Sequence, residues 1–210
     1  TGRNQEEFLL YKANYQSSDK LLLPDNLDAS YSEWEPGIDP LYPDSDAFKV
    51  TVETPDGVIY DDIEGGTFIT DLEKLTGRSL RIHTTQRGIF DARPVSIFSL
   101  SAAAKLSEEL NMDIDKRRFR ANFYVAWNNQ DDPFYENSLV GKTLKIGEWL
   151  EVVIVERDPR CTMITLDPDT AEATPKLLQH VSRKHDGDAG VFAAVLRRGR
   201  VNKGDSIFLK

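Results

Sequence analysis

Apolar residues recur at every second position along much of this chain, in runs too short for anything but strands. "FKVTVETPDGVIY" (48–60) alternates on both sides of Pro55-Asp56-Gly57, the pattern of a β-hairpin about a tight turn. "RRFRANFYVAW" (117–127) alternates as another strand. "KTLKIGEWLEVVIVERD" (142–158) reads as two strands about Gly147-Glu148, and "AGVFAAVLRRGRVNKGDSIFLK" (189–210) as two more about 198–203. "PVSIFSL" (94–100) and "SLRIH" (79–83) add shorter ones. Three segments carry helical spacing instead. The stretch 67–77 has Thr70 or Asp71 as N-cap and Gly77 as stop; 101–111 starts on Ser101; 174–185 has Thr174 as cap, with Leu177, Leu178 and Val181 on one face. Many short strands with few helices predict a mainly β chain with flanking helices, an α+β fold whose sheet closes or nearly closes into a barrel.

Composition excludes several classes. Of 210 residues, 40% are hydrophobic and 29% charged, which is ordinary for a globular chain. No apolar run approaches the roughly 20 residues that span a bilayer, so no membrane association and a cytoplasmic location are expected. One cysteine rules out an intramolecular disulfide and fits a reducing compartment. The chain starts at Thr1, and a preceding segment is expected. The net charge of −9 is uneven: residues 1–65 carry 15 acids against 4 bases, and the remainder is slightly positive. That balance argues against nucleic acid as a partner. Residues 16–47, with four prolines and many acids and serines, read as a long surface loop or a binding lid.

Common catalytic motifs are missing: there is no P-loop, no GxGxxG, no CxxC and no GxSxG. The histidines are His83, His180 and His185. The last two are five residues apart, about 140° around a helix, so they are expected on different faces and the reading is against a zinc site. Cys161 stands in "RDPRCTMITLDPDT" (157–170), where Pro159 is expected to break the preceding strand. The Arg160 guanidinium favours a thiolate, and Asp158 opposes it. On these residues alone Cys161 reads equally as a buried filler or a functional thiol. Arg120 reads as an ion-pair partner or an anion contact, and Gly190 as a point of close backbone approach.

Five stretches in order, "DARPVSIFSLSAAAKL", "RRFRANFYV", "VGKTLKIG", "DPRCTMITLDPDT" and "GDAGVFAAVLRRGRVNKGDSIFL", resemble the MOSC domain, the C-terminal domain of molybdenum-cofactor sulfurases. The resemblance covers 88–210 closely. It extends more weakly over 48–87, so residues 1–87 read as a β-rich N-terminal portion and 88–210 as the MOSC domain proper. It implies a MOSC-type β-barrel that receives molybdopterin or a sulfur species, with Cys161 as catalytic thiol and metal ligand. Cofactor contacts are implied for Arg160, Arg120, Asn122, Asp91, Ser96 and Ser99. Three functions follow from it. In the first, Cys161 ligates molybdenum of the molybdenum cofactor (molybdopterin) and supports oxotransfer or N-reductive chemistry. In the second, Cys161 carries a persulfide received from a separate pyridoxal-phosphate (PLP)-dependent cysteine desulfurase. In the third, the barrel is a non-catalytic binding module. No flavin, haem or iron–sulfur motif is present, so electrons would come from an electron-transfer partner. Where many relatives carry a second cysteine, this chain has Asp158. The family's upstream "YPVKS" segment, whose lysine and serine grip the phosphate in cofactor-holding relatives, has no match here.

Overall fold

The structure is a computed structural model that describes residues 5–16, 49–83, 92–129 and 131–210. Asp91 and nearly all of the 16–47 insertion lie outside the described residues. The chain divides into two compact units, Thr1–Ile89 and Phe90–Lys210.

In the first unit, β1 (Lys12–Tyr15), β2 (Val50–Glu53) and β3 (Ile59–Tyr60) form an antiparallel sheet in that order. The expected hairpin joins β2 to β3. Thr54 N–H donates to Val58 O at 2.9 Å, and Gly57 adopts a φ of 84°, open to glycine at little cost. Helix α1 (Gly66–Thr76) starts earlier than its sequence suggests, on Gly65 rather than Thr70 or Asp71. Asp62 is the reason. Its Oδ1 accepts from the N–H groups of Glu64 and Gly65 at 3.1 and 2.9 Å, turning the chain ahead of the helix. Thr70 and Asp71 therefore fall inside the helix, while Gly77 ends it as expected, at φ 66°. "SLRIH" forms no strand: the Leu80 N–H is taken by Glu73 Oε1 at 2.8 Å, so a helix side chain occupies a donor that a sheet would need.

The second unit holds a six-stranded mixed sheet in the order β5-β4-β8-β7-β6-β9. Its strands are β4 (Val95–Ser99), β5 (Phe123–Val125), β6 (Thr143–Ile146), β7 (Leu150–Pro159), β8 (Asp188–Arg197) and β9 (Ile207–Leu209). Only β4 and β5 run parallel, and helix α2 (Leu100–Leu110) lies in the connection between them. Helix α3 (Pro175–Lys184) precedes β8. Strand β9 pairs with β6 rather than with β8, the strand before it in sequence. Both faces of β4 are buried. Ile97 joins Val152, Ile154 and Val191 in one core, and its neighbour Phe98 joins Leu106, Phe119, Leu177 and Val181 in a second, beneath the helices. This is the alternation a strand requires. Three register shifts between β7 and β8 mark bulges, which increase local coiling. The sheet curls into a half-barrel whose edge strands β5 and β9 line the same groove. The architecture is the mainly β arrangement with flanking helices that the alternation predicts.

Three local readings change. "RRFRANFYVAW" is not one strand but a 3₁₀ turn, Lys116–Phe119, followed by the three residues of β5. Asp115 caps the turn by accepting from Arg117 N–H at 2.7 Å, and Arg120 ends it in the left-handed region at φ 51°. Capping outweighs the alternating pattern there. Helix α2 is capped by Ser99, not Ser101: Ser99 Oγ accepts from Ala102 N–H at 3.0 Å and donates to Pro133 O at 2.7 Å. Pro159 does not interrupt β7 but is its last residue, opposite Asp188.

Ser99→Ala removes a cap and a buried donor together, and is expected to cost about 1–2 kcal/mol in urea unfolding. Ser101→Ala, which loses a hydroxyl off the cap position, is expected to cost less; equal costs would place the cap elsewhere.

Candidate thiol site

A buried guanidinium organises this part of the fold. The Arg160 side chain is only 7% exposed and that of Asp158 only 6%, with Nη2 and Oδ2 2.7 Å apart. Arg160 Nε donates to Ala189 O at 2.6 Å and Nη1 to Phe119 O at 3.0 Å. One side chain thus joins the end of β7 to β8 and to the 3₁₀ turn 116–119. The guanidinium also lies over Phe119 and Phe98, 5.3 and 5.9 Å from their ring centroids, and those two rings stack at 4.0 Å. Nη2 is buried and makes an ion pair without an aligned hydrogen bond. Gly190 makes room for it. A Cβ there would stand 2.7 Å from Ile97 O and 3.0 Å from Arg160 Nη2, and the residue's φ is 87°. The close backbone approach expected at Gly190 is to the Ile97 carbonyl, with this arginine next to it. Burial pulls the Arg160 pKa below the usual arginine range, and the charges of Asp158 and Cys161 pull it back up.

Cys161 is the next residue, and it is exposed. It stands at the N-cap position of a 3₁₀ turn, Thr162–Thr165, with extended backbone. A second arginine holds this loop from the other side. Arg118 is buried, donating from Nη1 to Thr165 O and from Nη2 to Asp167 Oδ2, both at 2.8 Å. Arg118 and Arg160 together tie 116–119 to the segment that carries the thiol. Arg120 and Cys161 each lie one residue from the Phe119–Arg160 hydrogen bond. Arg120 is exposed, and its side chain makes no hydrogen bond among the described residues. Tyr124 senses the same cluster: burial raises its pKa, and the charges of Arg160 and Arg120 draw it down.

The other expected residues are occupied by the fold. Asn122 Oδ1 accepts from Ser96 N–H at 2.8 Å and from Ser96 Oγ at 3.0 Å, and Asn122 N–H reaches Ser96 Oγ at 3.1 Å. The pair clips the start of β5 to β4. Ser99 caps α2 and is fully buried. A groove of about 910 Å³ between β5 and β9 is lined by Asn122, Tyr124, Lys116 and Trp127, and not by Cys161, Arg160, Arg120, Ser96 or Ser99.

One charged residue beside the groove escapes sequence reading. Glu136 is 0% exposed; its Oε1 accepts from Ser99 N–H at 3.0 Å and its Oε2 from Trp127 Nε1 at 3.2 Å. Burial pushes its pKa up, and those hydrogen bonds oppose the shift. Nothing in "DPFYENSL" distinguishes this glutamate from a solvated one.

A sheet curled into a half-barrel under helices thus carries one exposed thiol on an arginine-clamped loop. The chain belongs to the MOSC domain family, which matches residues 79–208. It is 28% identical over 136 residues to the molybdenum cofactor sulfurase of Caenorhabditis elegans, covering 63% of this chain. The chain corresponds to 18% of that protein's length. It is also similar to the crystal structure of YiiM from Geobacillus stearothermophilus, with a TM-score of 0.43 and 13% identity over 56% of this chain and 54% of that one.

Asp158→Ala leaves a buried guanidinium without its counter-ion, and an unfolding titration is expected to show a loss of about 3–5 kcal/mol. Glu136 gives a pH test. Its folded pKa is raised, so its contribution to stability is full below the ordinary glutamate pKa and is lost as pH rises through the folded value. The stability deficit of Glu136→Gln relative to the wild type should therefore shrink between pH 4 and pH 8; a constant deficit would mean that Glu136 ionises normally.

Proposed function

We propose that this protein works with the molybdenum cofactor, and that Cys161 is the thiolate its metal takes, in support of oxotransfer or N-reductive chemistry. The observation that carries this reading is the exposed thiol on a loop fixed by two buried arginines. Molybdenum takes soft thiolate ligands, and Cys161 is the only cysteine in the chain. The donor set fits at the metal. Cys161 would hold it, and Arg120, exposed beside the Phe119–Arg160 bond, would meet an anionic group of the cofactor. Arg160 positions the thiol from within the fold. Asn122, which lines the groove and whose Oδ1 is taken by Ser96, would offer its amide NH₂ as a donor, and Ser99 sets the end of β4. Asp91 keeps its implied contact as an expectation only. Bound there, the cofactor would supply oxygen-atom exchange at molybdenum, with electrons from a separate electron-transfer partner. The cytoplasm remains the proposed location; no helix among the described residues is long and apolar enough to cross a membrane.

A second reading is favoured by one observation. The polar groups of Arg160, Ser96 and Ser99 are engaged within the fold, which leaves few to grip a phosphate tail. A persulfide carrier needs only the thiol. In that case the Cys161 thiolate attacks the outer sulfur of a persulfide on a separate PLP-dependent desulfurase. A new S–S bond forms at Cys161, and the donor's cysteine departs as thiolate. The third reading, a non-catalytic binding module, would leave Cys161 without a role.

Purification from a cofactor-competent host, followed by metal and pterin analysis, is expected to give molybdenum in the wild type and at least a tenfold lower content in Cys161→Ser. Wild-type protein free of both molybdenum and pterin would overturn the first reading. Incubation with desulfurase and cysteine, read by mass spectrometry, would then decide the second: one added sulfur on the wild type and none on Cys161→Ser.

A further inference from the structure

We propose that Glu109, His180 and His185 form a binding site for a divalent transition metal, with Zn²⁺ the best-suited ion, at the junction of α2 and α3. Glu109 Oε2 lies 2.7 Å from His180 Nε2 and 2.8 Å from His185 Nε2. One ligand atom from each residue lies within 4.8 Å of the other two. The side chains of His180, His185 and Glu109 are 18, 15 and 24% exposed, so the cluster is sheltered yet open to an incoming ion.

This placement overturns the expectation from helical spacing. Five helical residues would set the rings about 140° apart. Helix α3, however, ends at Lys184, and His185 has φ −130° and ψ 28°. That non-helical residue lets the second ring come round beside the first, with centroids 5.7 Å apart. The backbone of His185 is fixed, its N–H donating to Val181 O and its carbonyl accepting from Asp188 N–H, both at 2.9 Å. Its ring packs against Phe134 at 4.4 Å. Glu109 sits in the last turn of α2, which Asn111 closes in the left-handed region. All three ligands therefore stand on ordered backbone.

The donor set suits the ion. Two imidazoles and one carboxylate are a three-ligand zinc set that leaves a fourth position for water or an external ligand. Nitrogen donors select against Ca²⁺ and Mg²⁺. Two donors about 2.0–2.1 Å from one zinc at a tetrahedral angle are roughly 3.3 Å apart. The Glu109–histidine contacts need to open by only about half an ångström to reach that. Without metal, the carboxylate accepts from the ring N–H groups; with metal, each Nε2 would present its lone pair to the ion and the ring proton would sit on Nδ1. Protons compete with the metal for these lone pairs, so binding strengthens as pH rises. Cys161 is not among the three ligands.

The test uses the full chain, stripped of metal, in the wild type and in Cys161→Ser. Calorimetric titration with Zn²⁺ is expected to give one ion per chain in both. Co²⁺ should produce visible bands of a nitrogen–oxygen site without a sulfur-to-cobalt charge-transfer band. His180→Ala and His185→Ala should each weaken Zn²⁺ binding at least tenfold, with circular dichroism confirming the metal-free fold. If either variant fails to fold, wild-type histidine resonances decide: Zn²⁺ should shift two of the three rings, and not His83. Loss of binding in Cys161→Ser, a charge-transfer band, a shift of His83 alone, or no uptake at all would overturn the proposal. The last outcome would leave the cluster a hydrogen-bonded clamp between two helices.

Discussion

The second unit depends on a positive charge held away from water. Burying an isolated guanidinium is prohibitive, so the fold must surround Arg160 with an anion, carbonyl acceptors and aromatic faces. Asp158 supplies the anion, Ala189 and Phe119 the carbonyls, and Phe98 and Phe119 the rings. These partners come from β7, β8, β4 and the 3₁₀ turn before β5. A single side chain thus fixes the relative positions of four segments that are distant in sequence. Gly190 belongs to the same solution, since any side chain there would collide with the arginine or with Ile97 O. The exposed thiol of Cys161 is a consequence: its neighbour is so firmly anchored that the loop has little freedom to carry the sulfur elsewhere.

The curl of the sheet has a comparable local origin. Bulges between β7 and β8 bend the two longest strands, and the edges β5 and β9 approach across a groove. Asn122 and Ser96 reinforce the short parallel pairing at one edge. Beneath it, Glu136 fills acceptor positions for Ser99 N–H and Trp127 Nε1, so a buried carboxylate completes the hydrogen bonding where β4 passes into α2. Polar groups singled out as cofactor contacts are in this way also what holds the sheet edge in place.

Alternation made the strands legible in the sequence, because a half-buried strand must alternate. The hairpin at 48–60 and the pair about Gly147 fall where the pattern puts them. Legibility failed where a local hydrogen bond overrode the pattern. Glu73 takes the Leu80 N–H, Asp115 caps a 3₁₀ turn inside an apparent strand, and Ser99 rather than Ser101 starts a helix. Each failure involves a polar side chain that takes a main-chain N–H close by in sequence, a pairing that alternation does not encode. The site divides the same way. A lone cysteine after an arginine is visible in one dimension, but the direction of the arginine is not. The structure turns Arg160 inward and leaves Arg120 outward, though both occur in equally polar stretches.

Helix periodicity misled at His180 and His185 for a reason that generalises. The 100° rule holds only while φ and ψ stay helical, and the C-cap is where they stop. There the ring is free to take up a direction set by packing, here against Phe134, and two histidines converge on one carboxylate. The Glu109 pKa reflects that convergence: burial raises it, but hydrogen bonds and charge from both histidines prevail and bring it below the ordinary value. A depressed carboxylate contributes stability above its unfolded pKa and loses it as pH falls through the folded value. The α2–α3 junction is therefore weakest in acid, where the same carboxylate would also be least able to hold a cation. Helix docking at this junction, and the proposed cation site with it, depend on that ionised carboxylate together with the two rings.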